Sequence, residues 1–282
     1  MAVRIVADST CDLSKELIER YNIVIIPLMV TLGEKSGYDG IDITPEDIYH
    51  YVEETGELSK TSAVSTWDFR QKFKELRAGG DELVVFTISS KFSACFQNAM
   101  TTAEELGGIY VVDTQNLSTG EALVIIKAAE MAAEGKTAQE IVLTCGELIP
   151  RVEASFVVDS IEYLRKGGRC SAVAALGANL FKIKPAIEVI NGAMEAGTKY
   201  RGSLNKVITA YAEDRLKDRA DQIDMSRIFV THTKCDPEEV EYVKSLVRQY
   251  CPDVREILET VAGATVTTHC GPGTLGVLFI RK

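Results

Sequence analysis

The chain has 282 residues, of which 46% are hydrophobic and 26% are charged, and its formal net charge is −10. This balance is typical of a globular protein with one large domain or two ordinary ones, and it excludes a disordered chain. The acidic surplus argues against nucleic acid as a partner. No window approaches about 18 uncharged apolar residues, so we expect no stable insertion into a membrane.

The seven cysteines argue for a reducing compartment. Their number is odd and no C-x-x-C pair occurs, so neither a disulfide framework nor a zinc site is predicted. The amino-terminal stretch MAVRIVADST runs directly into a strand-like pattern and lacks the features of a secretory signal. We therefore expect a cytoplasmic protein without a metal or other cofactor.

The first half alternates short apolar runs with amphipathic stretches. The runs are rich in Val and Ile and predict strands buried on both faces; they cover residues 3–7, 23–30, 83–88 and 109–112. Helices are predicted over residues 14–21, 45–54, 67–77, 92–106 and 119–133. This alternation predicts an open, mainly parallel sheet flanked by helices. The glycine-containing stretch from Leu32 to Tyr38 predicts a turn or a hairpin tip.

Small polar residues follow three of these strands, beginning at Asp8, Ser89 and Asp113. Ligands of open α/β sheets bind beyond the carboxyl ends of the strands, so these residues are candidates for a ligand site. The same residue types also cap the helices that follow. The sequence leaves both interpretations open for Asp8 and Asp113.

The pattern changes near residue 151. Strand-like runs cover residues 154–158, 183–190, 193–200, 228–231 and 275–280, and helices are predicted over residues 204–217 and 237–250. The dipeptide Asn191-Gly192 lies between two runs and predicts a tight hairpin, which implies a mixed or antiparallel sheet. We therefore expect an α/β fold of two closely packed domains, residues 1–150 and residues 151–282.

The segment Gly271-Pro-Gly-Thr-Leu-Gly276 has the G-x-G-x-x-G spacing of dinucleotide-binding loops. Such a loop must open a helix within a βαβ unit of about 30 residues, whereas only six residues follow Gly276. Gly271 and Gly273 are therefore expected to form a tight turn that lets the backbone approach another group closely. His269 precedes this turn and is a candidate for an anion site, although a single histidine more often has a structural role.

The segment Lys166-Gly-Gly-Arg169 combines two glycines with two cations. Free backbone N–H groups flanked by positive charge suit an anion such as a phosphate or a carboxylate. The alternative is a helix that ends at a Gly167 cap with solvated charges around it, since residues 160–166 have a helical pattern. Both interpretations remain open.

The segment Ser89-Ser-Lys-Phe-Ser93 lies between a predicted strand and a predicted helix. Ser90 or a neighbour is expected to cap that helix. Ser93 is then expected in the first helical turn, near the positive end of the helix dipole, where a carboxylate would be stabilised.

The segment Lys60-Thr-Ser-Ala-Val-Ser-Thr66 places several hydroxyls before the helix predicted to begin at Trp67. Ser65 or Thr66 is expected to cap that helix. Thr61 and Ser62 remain free to donate hydrogen bonds to a ligand or to water.

In their order and spacing these segments resemble the DegV family, which includes the fatty-acid-binding subunits of bacterial fatty acid kinase. The resemblance extends over essentially the whole chain. The matching segments are ADSTCD (7–12), Thr61-Ser62, ISSKFS (88–93), VVDT (111–114), YLRKGGR (163–169), Lys184-Pro185 with Asn191-Gly192, and HCGPG (269–273).

The resemblance implies two α/β domains with a long-chain fatty acid buried between and beneath them. The amino-terminal domain would supply the carboxylate-binding loops, with Thr61 and Ser93 as the residues that hold the carboxylate and Ser62 beside them. The carboxyl-terminal domain would supply the acyl-chain cavity and the mouth for the head group.

The resemblance also implies how the head group is handled at that mouth. Arg169 and His269, together with the turn at Gly271 and Gly273, would steer the carboxylate while a separate kinase subunit phosphorylates it. Arg201 matches a residue associated with docking that kinase.

Four positions depart from the usual family pattern. Val64 stands where proline is usual, so the loop that carries Thr61 loses a fixed φ angle. Ala94 and Cys95 replace a Gly-Thr pair, which adds a methyl group and exchanges a hydroxyl for a weaker donor. Thr267 stands where glycine is usual.

The residues and the resemblance together predict a fatty-acid-binding protein that performs no covalent chemistry alone. The alternative is a serine hydrolase of acyl esters, with Ser93 as nucleophile and His269 as base. No G-x-S-x-G elbow surrounds Ser93, and Asp8 or Asp113 would have to orient His269.

Overall fold

The computed structural model describes residues 2–169 and 183–282. The strands of these two stretches are β1 (Val3–Asp8), β2 (Val24–Ile26), β3 (Met29–Leu32), β4 (Lys35–Tyr38), β5 (Lys60–Ser62), β6 (Glu82–Thr87), β7 (Ile109–Asp113), β8 (Val152–Glu153), β9 (Ser155–Val157), β10 (Lys184–Ile190), β11 (Ala193–Tyr200), β12 (Ile223–Thr233), β13 (Glu256–Val261) and β14 (Thr274–Arg281).

The described helices alternate with the strands in the first half and cluster around the second sheet in the rest of the chain. They are α1 (Lys15–Arg20), α2 (Pro45–Thr55), α3 (Thr66–Arg77), α4 (Cys95–Leu106), α5 (Ser118–Ala133), α6 (Ala138–Leu148), α7 (Glu162–Gly167), α8 (Leu204–Leu216), α9 (Pro237–Tyr250) and α10 (Ala264–Cys270). Within the two described stretches, no helix combines the length and hydrophobicity needed to cross a bilayer.

Two main sheets organise the protein. The first has the order β2-β1-β6-β7, and all of its strands are parallel. The second has the order β11-β10-β9-β14-β12-β13 and is mixed, because β12 and β13 are parallel while the other neighbours are antiparallel. This arrangement confirms the predicted α/β fold, with a parallel sheet in the first half and a mixed sheet in the second.

Helix α5 lies between the two main sheets. Residues 122–126 of this helix are fully buried, and the cluster around them includes Ile5 of β1, Phe229 of β12 and Leu278 of β14. A helix that is apolar on all sides must be covered on all sides. A single hydrophobic core therefore extends from the first sheet to the second.

A third, small sheet was not predicted as a separate unit. The apolar run over residues 23–30 was predicted as one strand, but it divides into β2, in the parallel sheet, and β3, which pairs with β4 and β5. Pro27 lies between the two pieces and lacks the N–H that a continuous ladder needs. The turn or hairpin tip predicted from Leu32 to Tyr38 is shorter than expected: the chain turns between Leu32 and Lys35, and Lys35–Tyr38 form β4 of the hairpin.

The hairpin predicted at Asn191-Gly192 joins β10 to β11, and both turn residues have positive φ, 50° and 79°. Its tip touches the first half of the chain, because the Ser89 hydroxyl donates to the Gly192 carbonyl over 2.7 Å. An added Cβ at Gly192 would come within 2.8 Å of the Ser89 hydroxyl. The hairpin therefore links the second sheet to the loop that also carries Ser93.

The polar residues at the strand ends stabilise loops. Asp8 accepts a hydrogen bond from the Ile88 backbone N–H over 2.8 Å. Asp113 accepts from the backbone N–H groups of Ser90 and Gln115. Both carboxylates join neighbouring strand ends of the parallel sheet, so they have a structural role. Asp8 also caps the short 3-10 helix over Ser9–Cys11, whereas Asp113 does not cap α5, contrary to the capping that the sequence suggested.

Candidate functional site

A cavity of about 50 Å³ opens between the first half of the chain and α10. Its polar lining comes from Thr61 of β5, Ser93 of the β6–α4 loop, Arg169 after α7, and Thr265 and His269 of α10. We call this the outer cavity. The rest of its lining consists of apolar or thiol side chains, namely Leu28, Ala63, Ile88, Phe92, Leu117, Met194, Val266 and Cys270. The predicted site residues Thr61, Ser93, Arg169 and His269 thus lie around one cavity.

Thr61 and His269 are in direct contact at this cavity. The Thr61 hydroxyl oxygen lies 2.8 Å from Nε2 of His269. Burial, reinforced by the nearby charge of Arg169, lowers the pKa of His269 to about 4. The imidazole is therefore neutral near pH 7 and carries one N–H.

The contact favours one tautomer of His269. Its Nδ1 is buried and has no hydrogen-bond partner among the described residues. An orphaned buried N–H is rare in proteins, so we assign the proton to Nε2, which donates it to the Thr61 oxygen. The Thr61 hydroxyl then keeps its own hydrogen free to donate into the cavity.

Gly167 allows the imidazole to take this position. A Cβ added at Gly167 would lie 2.5 Å from Nδ1 of His269, which is closer than such atoms approach. The predicted helix cap at Gly167 is displaced by one residue, because Gly167 ends α7 and Gly168 has the left-handed conformation, with φ of 69°. The two glycines therefore have different tasks: Gly168 ends the helix, and Gly167 makes room for His269.

Ser93 lies just before α4 and not in its first turn, which corrects the prediction. The helix begins at Cys95 with Ala94 as a cap that provides no side-chain hydrogen bond, and Ser90 donates to Asp113. The Ser93 hydroxyl accepts from the Cys95 backbone N–H over 3.3 Å and lies 3.2 Å from the Cys95 sulfur. Because a thiol sulfur is a weak acceptor, the Ser93 hydrogen can turn to a better one.

Arg169 is exposed at the cavity mouth and donates to the Gly167 carbonyl over 2.8 Å. Ser62 is exposed on β5, next to Thr61 but outside the cavity lining. Arg201, just after β11, is likewise exposed and outside the lining. The structure therefore brings Arg169 to the mouth and leaves the other two away from the cavity.

Gly271 and Gly273 form the tight turn expected of them, with φ of 70° and 72°. Added Cβ atoms would meet the Tyr163 ring at 2.5 Å and Asp159 at 2.9 Å. The close approach predicted at this turn is therefore made to the segment around α7. Neither glycine lines the cavity.

A second cavity, of about 30 Å³, adjoins the first and is called the inner cavity below. Leu117, Val266 and Cys270 line both cavities and form the junction between them. The threonines of the inner cavity use their hydroxyls elsewhere: Thr233 donates to the Gly271 carbonyl and Thr274 to the Cys270 carbonyl. The inner wall therefore presents mainly carbon, in contrast to the outer mouth.

The sequence predictions missed the helix that carries His269. The segment ATVTTHC forms α10, but its β-branched residues are typical of strands. Thr265, Val266, His269 and Cys270 recur at helical spacing and line the outer cavity. That spacing was the signal available in the sequence, but seven residues are too few for a periodicity to stand out.

The hydrolase geometry is incomplete among the described residues. His269 contacts Thr61 through Nε2, and no carboxylate of residues 2–169 or 183–282 bonds its Nδ1. Asp8 and Asp113, the predicted orienting residues, are engaged by backbone N–H groups. A histidine with a pKa of about 4 is also a weak base near pH 7.

No group of three or more metal-ligating side chains occurs within residues 2–169 and 183–282.

Comparison with known proteins identifies the family. A model of the DegV family matches residues 2–282. A fatty acid-binding protein of Thermotoga maritima is 32% identical and covers 98% of this chain and 96% of its own length. The solved structure of DegV, a fatty acid binding protein from Bacillus subtilis, has a TM-score of 0.88 at 29% identity and full coverage of both chains.

A stearic acid-binding protein from Eubacterium ventriosum has a TM-score of 0.85 at 27% identity, with 100% of this chain and 99% of that chain covered. The match to the family model and these similarities extend over both main sheets and the residues around the two cavities. The chain belongs to the DegV family.

Proposed function

We propose that the protein binds a long-chain fatty acid, with the carboxylate at Thr61 and Ser93 and the acyl chain in the two joined cavities. The observation that carries the proposal is the Thr61–His269 contact at the wall of a cavity with a largely apolar lining. With the proton of His269 on Nε2, the Thr61 hydroxyl hydrogen is free for a ligand. The relatives from Thermotoga maritima and Bacillus subtilis are named as fatty acid-binding proteins. Stearic acid is the named ligand of the Eubacterium ventriosum protein.

The energetics favour such a ligand. Each buried CH₂ group contributes about 0.8 kcal/mol, so a chain of roughly sixteen carbons supplies on the order of 10 kcal/mol before the costs of binding. A buried carboxylate must be hydrogen-bonded, and the mouth places hydroxyls beside it. The Arg169 charge at the same mouth keeps the carboxylate ionised.

The two cavities must widen for the ligand to enter. Pockets that bury small molecules usually measure about 300–1,000 Å³, far more than the cavities of about 50 and 30 Å³. Met194 of the β10–β11 hairpin and Leu117 before α5 line the space that has to open. We expect these side chains to move when the acyl chain binds.

A separate kinase would phosphorylate the presented carboxylate, with Arg169 and His269 at the mouth and Arg201 at the docking surface. This part of the proposal is supported by the family resemblance, and by the exposed positions of Arg169 and Arg201. The protein alone would remain a carrier. The sequence has an odd number of cysteines and no C-x-x-C pair, which is compatible with the reducing cytoplasm that we propose as its location.

Titration of delipidated protein with oleate or palmitate tests the binding proposal. We expect saturable binding that the double variant Thr61→Val, Ser93→Ala weakens strongly. The absence of uptake by the wild-type protein would contradict the proposal. Burst release of product from an activated acyl ester, lost in Ser93→Ala, would favour the hydrolase.

The role of the mouth is tested with a purified fatty acid kinase. Arg169→Ala should retain oleate but form acyl phosphate more slowly, because the exposed guanidinium is not needed to hold the acyl chain. Equal rates of phosphorylation in the variant and the wild type would remove Arg169 from that role.

A further inference from the structure

Thr265 has a buried hydroxyl without a partner. Its side chain is 4% exposed, and Oγ1 has no hydrogen-bond partner within residues 2–169 and 183–282. Burying a hydroxyl without a hydrogen-bond partner is unfavourable, because the bonds it made to water are lost and not replaced. A buried polar group of this kind in a native protein calls for an explanation.

Neighbouring threonines of the same helix do not share this property. The Thr268 hydroxyl bonds the Ser59 hydroxyl over 2.8 Å, and Thr267 donates to the Ala262 carbonyl over 3.3 Å. A threonine in a helix can also satisfy its hydroxyl on a carbonyl one turn earlier. Thr265 lies in the first turn of α10, where that internal acceptor is not available.

The position of Thr265 relates it to the carboxylate site. Thr265 and His269 are four residues apart, so their side chains lie on the same face of α10, about 6 Å apart at Cβ. Both line the outer cavity, together with Thr61 and Ser93. Thr265 is absent from the lining of the inner, carbon-walled cavity. Thr265 therefore shares the lining of the outer cavity with Thr61, Ser93 and His269 and has no part in the inner one.

Two aspartates of the first half hold Thr265 in place. Asp39, which is 5% exposed, accepts from the backbone N–H groups of Ala264 over 2.8 Å and Thr265 over 3.3 Å. Asp12 accepts from the Gly263 N–H over 2.7 Å. These bonds satisfy the N–H groups at the amino end of α10, which has no side-chain cap of its own. The start of the helix, and Thr265 with it, is thereby fixed against the loops of the first sheet.

We propose that Thr265 is a third hydroxyl donor to the fatty acid carboxylate, beside Thr61 and Ser93, and that Asp39 is its positioning residue. A carboxylate has about four lone-pair sites, which two hydroxyls leave partly unpaired. Thr265 donates to a carboxylate oxygen that Thr61 and Ser93 leave partly unpaired, and the Thr265 hydroxyl thereby gains an acceptor. This inference deepens the proposed function and rests on it.

Thr265→Val tests the inference because it replaces the hydroxyl by a methyl group of nearly equal size. We expect the variant to bind oleate roughly ten- to a hundredfold more weakly, because one hydrogen bond to a charged group is lost. The ligand-free variant should be at least as stable as the wild type, because a buried unpaired hydroxyl has been removed. Thr265→Ser keeps the hydroxyl and should restore most of the affinity.

Thr268→Val is the matched control. It removes a buried hydroxyl from the same helix but leaves Ser59 unpaired, so it should lower the melting temperature and spare oleate affinity. Asp39→Asn keeps one acceptor oxygen, and we expect it to lower oleate affinity less than Thr265→Val does.

The outcomes separate the inference from the proposed function. Wild-type protein that binds oleate, together with unchanged affinity in Thr265→Val, would overturn the inference and leave fatty acid binding intact. Wild-type protein that takes up no fatty acid would overturn both. Lower stability of ligand-free Thr265→Val with unchanged affinity would show that the hydroxyl has a partner within the protein, which also contradicts the inference.

Discussion

The hydroxyl oxygen of Thr61 lies 2.8 Å from Nε2 of His269, across 208 positions of the sequence. The contact joins an edge strand of the small sheet to the last turn of α10. Because the neutral imidazole donates to the threonine oxygen, the hydroxyl hydrogen remains available for a ligand. His269 thus acts on the carboxylate through Thr61.

Replacing Thr61 by valine should weaken oleate binding by roughly ten- to a hundredfold, since a hydrogen bond to a charged group contributes about 1.5–3 kcal/mol. Isothermal titration of delipidated protein measures the effect. Ser62→Ala is the matched control, because Ser62 is the next residue of the same strand and lies outside the cavity. An equal loss of oleate affinity in Thr61→Val and Ser62→Ala would contradict a specific role for Thr61.

Gly167→Ala should displace the His269 ring, because the new methyl group would lie 2.5 Å from Nδ1. We expect weaker oleate binding and a lower melting temperature. Gly146→Ala in α6 is the control, since a Cβ there meets nothing within 4 Å and alanine is the better helix former. A Gly167→Ala variant with wild-type affinity would show that the position of His269 is unimportant for binding.

The ionisation of His269 should respond to the ligand. In the free protein its pKa is about 4, lowered by burial and by Arg169, so its ring resonances in NMR spectra should stay constant from pH 8 down to about 5. A bound carboxylate places a negative charge near the ring and should raise this pKa. An unchanged titration of His269 in the oleate complex would argue against a carboxylate at this end of the cavity.

The free energy of unfolding should fall as the pH rises from 6.5 to 8, because Asp12 loses its proton in the folded protein over this range. Burial raises the pKa of Asp12 to about 8, well above its value near 4 in the unfolded chain. Between these values the native state holds the extra proton, so the free energy of unfolding decreases with pH by up to about 1.4 kcal/mol per unit.

The window from pH 6.5 to 8 limits the contributions of Asp8 and His269, the other two groups whose pKa shifts could affect stability. The pKa of Asp8 is raised to about 6 by burial, so this group is mostly ionised in both states over the window. The pKa of His269 is about 4 in the folded protein and about 6.5 in the unfolded chain, so its remaining titration raises stability with pH and opposes the fall expected from Asp12. Urea unfolding at pH 6.5 and 8 measures the difference. In Asp12→Asn the free energy of unfolding should depend less steeply on pH. An equally steep fall in that variant would assign the effect to another group, for example the buried Glu121, whose pKa is also raised by burial.

Filling the junction of the two cavities should change chain-length preference. Val266 lines both cavities, so Val266→Phe should block the inner one at a stability cost of about 1–3 kcal/mol. The variant should keep short-chain acids and lose palmitate and oleate. Competition between decanoate and palmitate measures the shift, and an unaltered preference would place the acyl chain elsewhere.

Much of the fold could be predicted from local signals. Asn191-Gly192 specified its hairpin because both positions require positive φ. The helix from Pro237 to Tyr250 matched the prediction at both ends. At its amino end Asp236 caps the helix and Pro237 is the first helical residue. These features depend on residues adjacent in sequence, which is why no tertiary information was needed.

The site was only partly predictable, for two physical reasons. Thr61, Ser93, Arg169 and His269 were expected together from the family resemblance, and the structure places all four around one cavity. Thr265 was missed because its importance follows from a hydroxyl left without a partner, which depends on the packing of α10. The residues of α10 have a strand-like composition, and the side chains of two aspartates distant in sequence accept from the N–H groups at its amino end.

Mass spectrometry of the lipid extract from the denatured, purified protein shows directly whether the protein carries a fatty acid. We expect close to one long-chain fatty acid per protein molecule, with much less in the Thr61→Val, Ser93→Ala variant prepared in the same way. A wild-type extract without fatty acid, from protein that also fails to take up added oleate or palmitate, would contradict this expectation.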